Sequence, residues 1–127
     1  MTPADPAYLA SIVDRLEEYV PVQTRRFFGG IGLLYGEVQF AMVMGDTLYL
    51  VVDDVNRPSR EAAGAEPFTY QTRRGQVTVG RYYTVPAHVL DDQEALRTWT
   101  AEAIQSAQTR PVGARRRPQR AAGLGQV

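Results

Sequence analysis

Arg25-Arg26-Phe27-Phe28-Gly29-Gly30-Ile31-Gly32-Leu33-Leu34-Tyr35 is the stretch from which the fold is read. Two arginines precede two aromatics, three glycines fall within four residues, and an apolar run follows. Glycine permits positive φ or close backbone approach, so the stretch predicts a tight turn leading into a sheet. Downstream, Gly36-Glu37 separates Leu33–Tyr35 from Val38–Met44, and Gly45-Asp46 separates that run from Leu48–Val52. Strand-like segments joined by such short turns predict an antiparallel meander. In the middle segment Val38, Phe40, Met42 and Met44 alternate with Gln39, Ala41 and Val43. Both sets are too apolar for an exposed face, so this strand is expected at the centre of the sheet.

Upstream, Thr2 or Asp5 can cap a helix with Pro6 in its first turn, and Pro21 ends it. Tyr8, Leu9, Ile12, Val13 and Leu16 recur at helical spacing and form its inward stripe. Downstream, residues 53–64 predict a short capped helix closed by Gly64. Residues 67–71 and 76–85 predict two strands around a turn at Arg73-Arg74-Gly75, and 86–90 a turn. A last helix starts at Asp91 or Asp92 and runs to about Gln108, with Ala95, Leu96, Trp99, Ala103 and Ile104 inward. The order shows no βαβ alternation. It predicts an α+β, two-layer sandwich: an antiparallel sheet of about five strands, with N- and C-terminal helices packed on one face.

With 127 residues and 44% hydrophobic content, one domain with a proper core is expected, assigned to residues 1–108. The absence of cysteine removes disulfides, thiolate metal sites and a Cys nucleophile. The acidic N-terminal residues do not resemble a signal peptide and no apolar run reaches membrane-spanning length, so a cytoplasmic protein without a membrane partner is expected. The zero formal charge is unevenly spread. All fourteen basic residues are Arg, and residues 1–109 hold nine of them against all fourteen acids, a formal −5. The segment 109–127 carries Arg110, Arg115, Arg116, Arg117 and Arg120 among Pro and Gly and is expected to be a disordered basic tail.

Taken together, several segments resemble the N-terminal domain of the TfoX/Sxy family, regulators linked to bacterial competence. The matching residues are the 25–33 stretch, Phe40-Ala41, Leu48-Tyr49-Leu50, Asp53-Asp54-Val55-Asn56-Arg57, Pro67-Phe68-Thr69-Tyr70, Tyr82-Tyr83-Thr84-Val85-Pro86, Leu90-Asp91-Asp92 and Leu96–Trp99. They span roughly residues 7–107 in order. The resemblance implies a two-layer α/β sandwich and a regulatory, non-enzymatic role. Where the family usually has Met, this chain has Phe28 or its neighbour. Val51-Val52 stands where the family has a strand Lys, and Gly80-Arg81 replaces a frequent Met-Ser pair. Two-domain members add a C-terminal helical domain; here a short tail stands in its place, and a stand-alone domain is expected.

No catalytic set emerges from the residues. Arg25 and Arg26 beside Gly29 and Gly30 are the candidate anion or interaction site, since turn N–H groups form nests and guanidinium binds phosphate bidentately. No Gly-Lys-Ser/Thr follows, so this is neither a P-loop nor a dinucleotide fingerprint. The competing and preferred reading pairs one arginine with an acid such as Asp53 and leaves the glycines to shape the backbone. Asp53, Asn56 and Arg57 lack the calcium-loop pattern and are read as a cap and a salt bridge. His88 alone makes no metal site, and Asp91-Asp92 belongs at a helix start. Tyr82 and Tyr83, on opposite faces of a strand, and Trp99 are read as core. Arg73 and Arg74, with Arg115, Arg116, Arg117 and Arg120, are the candidate nucleic-acid contacts, of the weak salt-sensitive kind. The expectation is a protein-interaction domain with a protein partner or as a homodimer, with no cofactor and no metal; the alternative is a DNA-associated regulator, and weaker still is ligand binding at the Gly-rich turn.

Overall fold

The structure is a computed structural model that describes residues 3–109. The expected Arg-rich tail, with Arg115, Arg116, Arg117 and Arg120, lies outside the described residues. In chain order the elements are α1 (Pro6–Leu16), β1 (Gln23–Phe27), β2 (Gly30–Tyr35), β3 (Val38–Met44) and β4 (Thr47–Val51). There follow α2 (Arg57–Ala62), β5 (Pro67–Thr72), β6 (Gly75–Thr84), α3 (Ala87–Leu90) and α4 (Gln93–Thr109). The fold is α+β, one antiparallel sheet with the terminal helices against it. The strand order is β1-β2-β3-β4-β6-β5, so six strands form where about five were expected.

The added strand is β1, whose polar residues Gln23, Thr24, Arg25 and Arg26 are all exposed. An edge strand with solvent on its sides carries no apolar alternation to betray it. The turn from β1 to β2 is Phe28-Gly29, with φ of 55° and 81°, which is the pair of left-handed residues a primed hairpin turn demands. Two-residue links at Gly36-Glu37 and Gly45-Asp46 join β2, β3 and β4, as the meander predicts. Residues 86–90, expected as a turn, include the single helical turn α3.

Helix ends follow local chemistry. Asp5 caps α1, its carboxylate accepting from the Tyr8 N–H at 3.3 Å, with Pro6 at the first helical position. Asp92 does the same for α4, accepting from the N–H groups of Glu94 and Ala95 at 3.1 and 3.2 Å. α1 and α4 cover one side of the sheet. That side presents Leu33, Ala41 and Leu50, which lie in register across three strands and are at most 2% exposed. Leu96 and Ala103 of α4 and Leu16 of α1 are fully buried in the same core.

One face assignment changes. The β2–β3 register pairs Leu33 with Ala41 but Leu34 with Gln39, so Phe40 is an extra residue on β3. Such a bulge breaks alternation. Gln39 therefore does not share a side with Ala41 and Val43; its side chain lies over Gly32, on the side away from the helices.

The side without helices closes on itself. In a flat sheet β1 and β6 would stand four strands, about 19 Å, apart. Yet the rings of Phe27 and Tyr82 are 5.9 Å apart, and so are those of Phe28 and Tyr70, from opposite ends of the strand order. The twist natural to strands, sharpened by bulges at Phe40 and between Pro67 and Phe68, curls the sheet until its ends meet through aromatic rings.

Candidate functional site

The candidate residues fall in three places. Arg25 and Arg26 are neighbours on β1, so alternation sends them to opposite sides. Arg25 pairs with Gly32 on the helix-free side, and its Nε donates to Gln39 Oε1 at 3.2 Å. Arg26 faces the other way, into a groove shared with Leu9 and Pro3 near the start of α1. Gly29 is the second turn residue, whereas Gly30 is a packing position: a Cβ there would stand 2.5 Å from Met44 Sδ and from the Val43 carbonyl oxygen. Gly32 makes room for a side chain, since a Cβ there would lie 2.6 Å from Gln39 Cδ. Close approach, more than turn geometry, explains the glycines of β2.

That room serves a buried polar bridge. Gln39, 2% exposed, accepts from Arg25 and donates through Nε2 to the Tyr82 hydroxyl at 2.9 Å. Burial pushes the Tyr82 phenol up to about 12, against the opposing effect of the Gln39 hydrogen bond and of the nearby Arg81 and Arg25 charges. Sequence reading missed Gln39. The clue available was a lone amide in the most apolar strand, which must be hydrogen-bonded if buried.

Neither Arg25 nor Arg26 forms an ion pair with a described acid, contrary to the preferred sequence reading. Asp53 sits beyond β4 beside α4, and its partners are there. Ser106 donates to its Oδ2 at 2.6 Å, and the N–H groups of Val55 and Asn56 donate to Oδ1 at 2.9 Å. The Ser106 hydrogen bond, then those backbone bonds, hold the Asp53 carboxyl below its ordinary value. Asn56 closes the loop, accepting from the Asp53 N–H and donating to Ser106. Arg57 bridges Asp54 at 2.7 Å and donates to the Gly80 carbonyl.

The remaining polar clusters tie helices to sheet. Arg60, 5% exposed, stacks 4.3 Å over Trp99 and bonds Glu102 at 2.6 Å. The Tyr83 hydroxyl donates to Glu61, and burial raises its pKa first, the carboxylate second. Tyr82 and Tyr83 are 3% and 4% exposed on opposite faces. Arg73 and Arg74 occupy the exposed two-residue turn between β5 and β6, where the Thr72 hydroxyl braces the loop by donating to the Gly75 carbonyl. His88 is exposed on α3. Among the described residues no three His, Asp or Glu side chains converge as metal ligands, and no helix is long and apolar enough to cross a membrane.

Between the curled ends lies a cavity of about 210 Å³. Met42, Phe68 and Tyr82 line its buried part and Phe28, 49% exposed, its rim. A helix-backed, curled antiparallel sheet whose open side carries aromatics and an arginine-tethered amide defines a small α+β domain. Residues 14–107 match the TfoX N-terminal domain, and the chain belongs to that family. No curated protein matches it.

Proposed function

We propose that the chain is a non-catalytic regulatory domain that works through protein contact, made at the β1 edge and its turn. The observation that carries this reading is the edge itself. Four consecutive residues of β1 are exposed, its outer backbone groups have no neighbouring strand among the described residues, and Phe28 beside them is half exposed at positive φ. An unpaired edge offers main-chain hydrogen bonds to an added strand, while an exposed ring and an arginine supply anchor and charge. Family membership supports a regulatory role.

The test compares the wild-type chain with Arg26→Glu and Phe28→Ala as immobilised bait and in light scattering. A bound protein, or a second copy, that is lost in both variants while their melting temperatures stay near wild type is the expected result. Equal capture by all three would overturn the assignment to this edge. A second reading, duplex-DNA contact, is favoured by the exposed Arg73-Arg74 turn. It is opposed by the formal −5 of residues 1–109. A salt series with wild type and Arg73→Glu/Arg74→Glu separates the two, since phosphate contacts weaken steeply with salt.

A further inference from the structure

We propose that the partner of the β1 edge is an extended protein segment with two adjacent acidic residues preceded by an apolar one, added antiparallel to β1. This inference rests on the reading of that edge as a contact surface and names the chemistry of what it contacts.

The edge carries a pattern of its own. Alternation sends Arg25 and Phe27 to the helix-free side, and Thr24 and Arg26 to the helix side. β1 contains no acid, and neither arginine has an ion-pair partner among the described residues. Gln39 holds Arg25 by its Nε at 3.2 Å, which orients the guanidinium and leaves its terminal nitrogens to a further acceptor. A strand that joins β1 alternates in step with it, so consecutive residues meet Arg26 and Arg25 on opposite sides. Opposite Phe27, Arg26, Arg25 and Thr24, the complementary order is apolar, acidic, acidic, polar. Antiparallel addition continues a sheet whose described pairings are all antiparallel.

Hollows flank the edge on both sides. Toward the helices lies the groove walled by Pro3, Leu9 and Ile31 beside Arg26. On the other side is the mouth of the cavity, at Phe27 and Phe28. Neither hollow is lined by Asp or Glu. The cavity mouth receives the apolar residue, and pockets for alternate side chains give strand addition its specificity.

Charge and geometry disfavour two other occupants. A second copy paired β1 to β1 would bring the arginines of both edges together with no acid between them, and like charges across strands are destabilising. A duplex presents phosphates along one surface, whereas Arg25 and Arg26 point to opposite sides of their strand.

The experiment titrates the full chain with the capped peptide Ser-Thr-Leu-Glu-Glu-Thr-Val-Ser, following backbone amides by ¹H–¹⁵N NMR. The expected result is saturable shifts at Thr24, Arg26 and Phe28, with intermolecular NOEs between peptide and β1 backbone protons. The same peptide with Lys-Lys in place of Glu-Glu should bind about tenfold more weakly or worse, because two opposite-charge pairs become like-charge pairs. Arg26→Glu should reverse the order locally: a peptide with Lys for its first Glu should bind this variant better than the parent peptide does. Loss of folding cannot produce that exchange. N-methylation of alternate peptide residues should abolish binding in one phase and spare it in the other, as pairing along a single edge requires. No saturable binding, equal affinity for the Glu and Lys peptides, or shifts confined to residues outside β1 would each overturn the proposal. So would a stronger β1 response to the chain's own concentration or to a duplex oligonucleotide. The edge assignment is tested apart from this: a captured protein lost in Arg26→Glu, with no peptide bound, keeps the edge and removes the acidic strand.

Discussion

The two sides of the sheet reach the same burial by different means. Toward the helices, Leu33, Ala41, Val43 and Leu96 are wholly excluded from water by packing of aliphatic side chains against α4 and α1. On the other side none of the described helices lies over Met42, Phe68 and Tyr82, yet they are 0%, 5% and 3% exposed. Curling replaces the missing layer, and aromatic rings replace the aliphatic ones. The covered side is filled like a protein interior. The curled side keeps a cavity and a buried amide.

The comparison breaks if the two sides respond alike to substitution. The largest effect is expected on the helix side: Leu96→Ala should cost about 2–5 kcal/mol in urea unfolding, because a fully buried Leu leaves a void that α4 cannot close. Next comes Gly30→Ala, expected to cost about 1–3 kcal/mol or more by overpacking, since one clashing atom is the Val43 backbone oxygen. Gly32→Ala meets only the Gln39 side chain, which can swing aside, and should cost less than Gly30→Ala.

An alkaline titration sharpens the contrast further. The folded Tyr82 phenol titrates at about 12, above the ordinary 10.0 expected when unfolded. Its contribution to stability is therefore complete below pH 10 and is lost as pH rises toward 12. Tyr82→Phe should lower stability at neutral pH by about 1 kcal/mol, for the lost Gln39 bond, while flattening the decline between pH 10 and 12 in urea midpoints. The smallest effect belongs to the rim. Phe28→Ala should change stability by no more than about 1 kcal/mol, and Phe28→Gly should be the more stable of the two, since glycine accepts the φ of 55° without strain. A Phe28→Ala cost as large as that of Leu96→Ala would mean that the curled side is packed as rigidly as the covered one.

These contrasts mark what could be read from the residues. The meander was legible because Gly36-Glu37 and Gly45-Asp46 cut apolar runs at hairpin spacing, and the helices because Asp5, Pro6 and Asp92 sit where termini need them. β1 was not, because an edge strand exposed along its length has no hydrophobic period. The Phe40 bulge was not, because it is fixed by a fit between Gln39 and Gly32 that no local sequence signature announces. The same hidden bulge put Gln39 on the wrong face and concealed the Arg25–Gln39–Tyr82 bridge. Arg25 and Arg26 looked like one charged unit because adjacency in sequence hides alternation in space.

The strand order also carries a kinetic consequence. β1 to β4 follow one another through two-residue links, so their pairing closes only short loops and can form early. β4 must instead find β6, with Val51 opposite Tyr82 and α2 and β5 lying between them in the chain. Only after that docking can Phe28 reach Tyr70. The topology therefore predicts an aromatic closure made late in folding: Phe28→Ala should speed unfolding more than it slows refolding in a denaturant chevron.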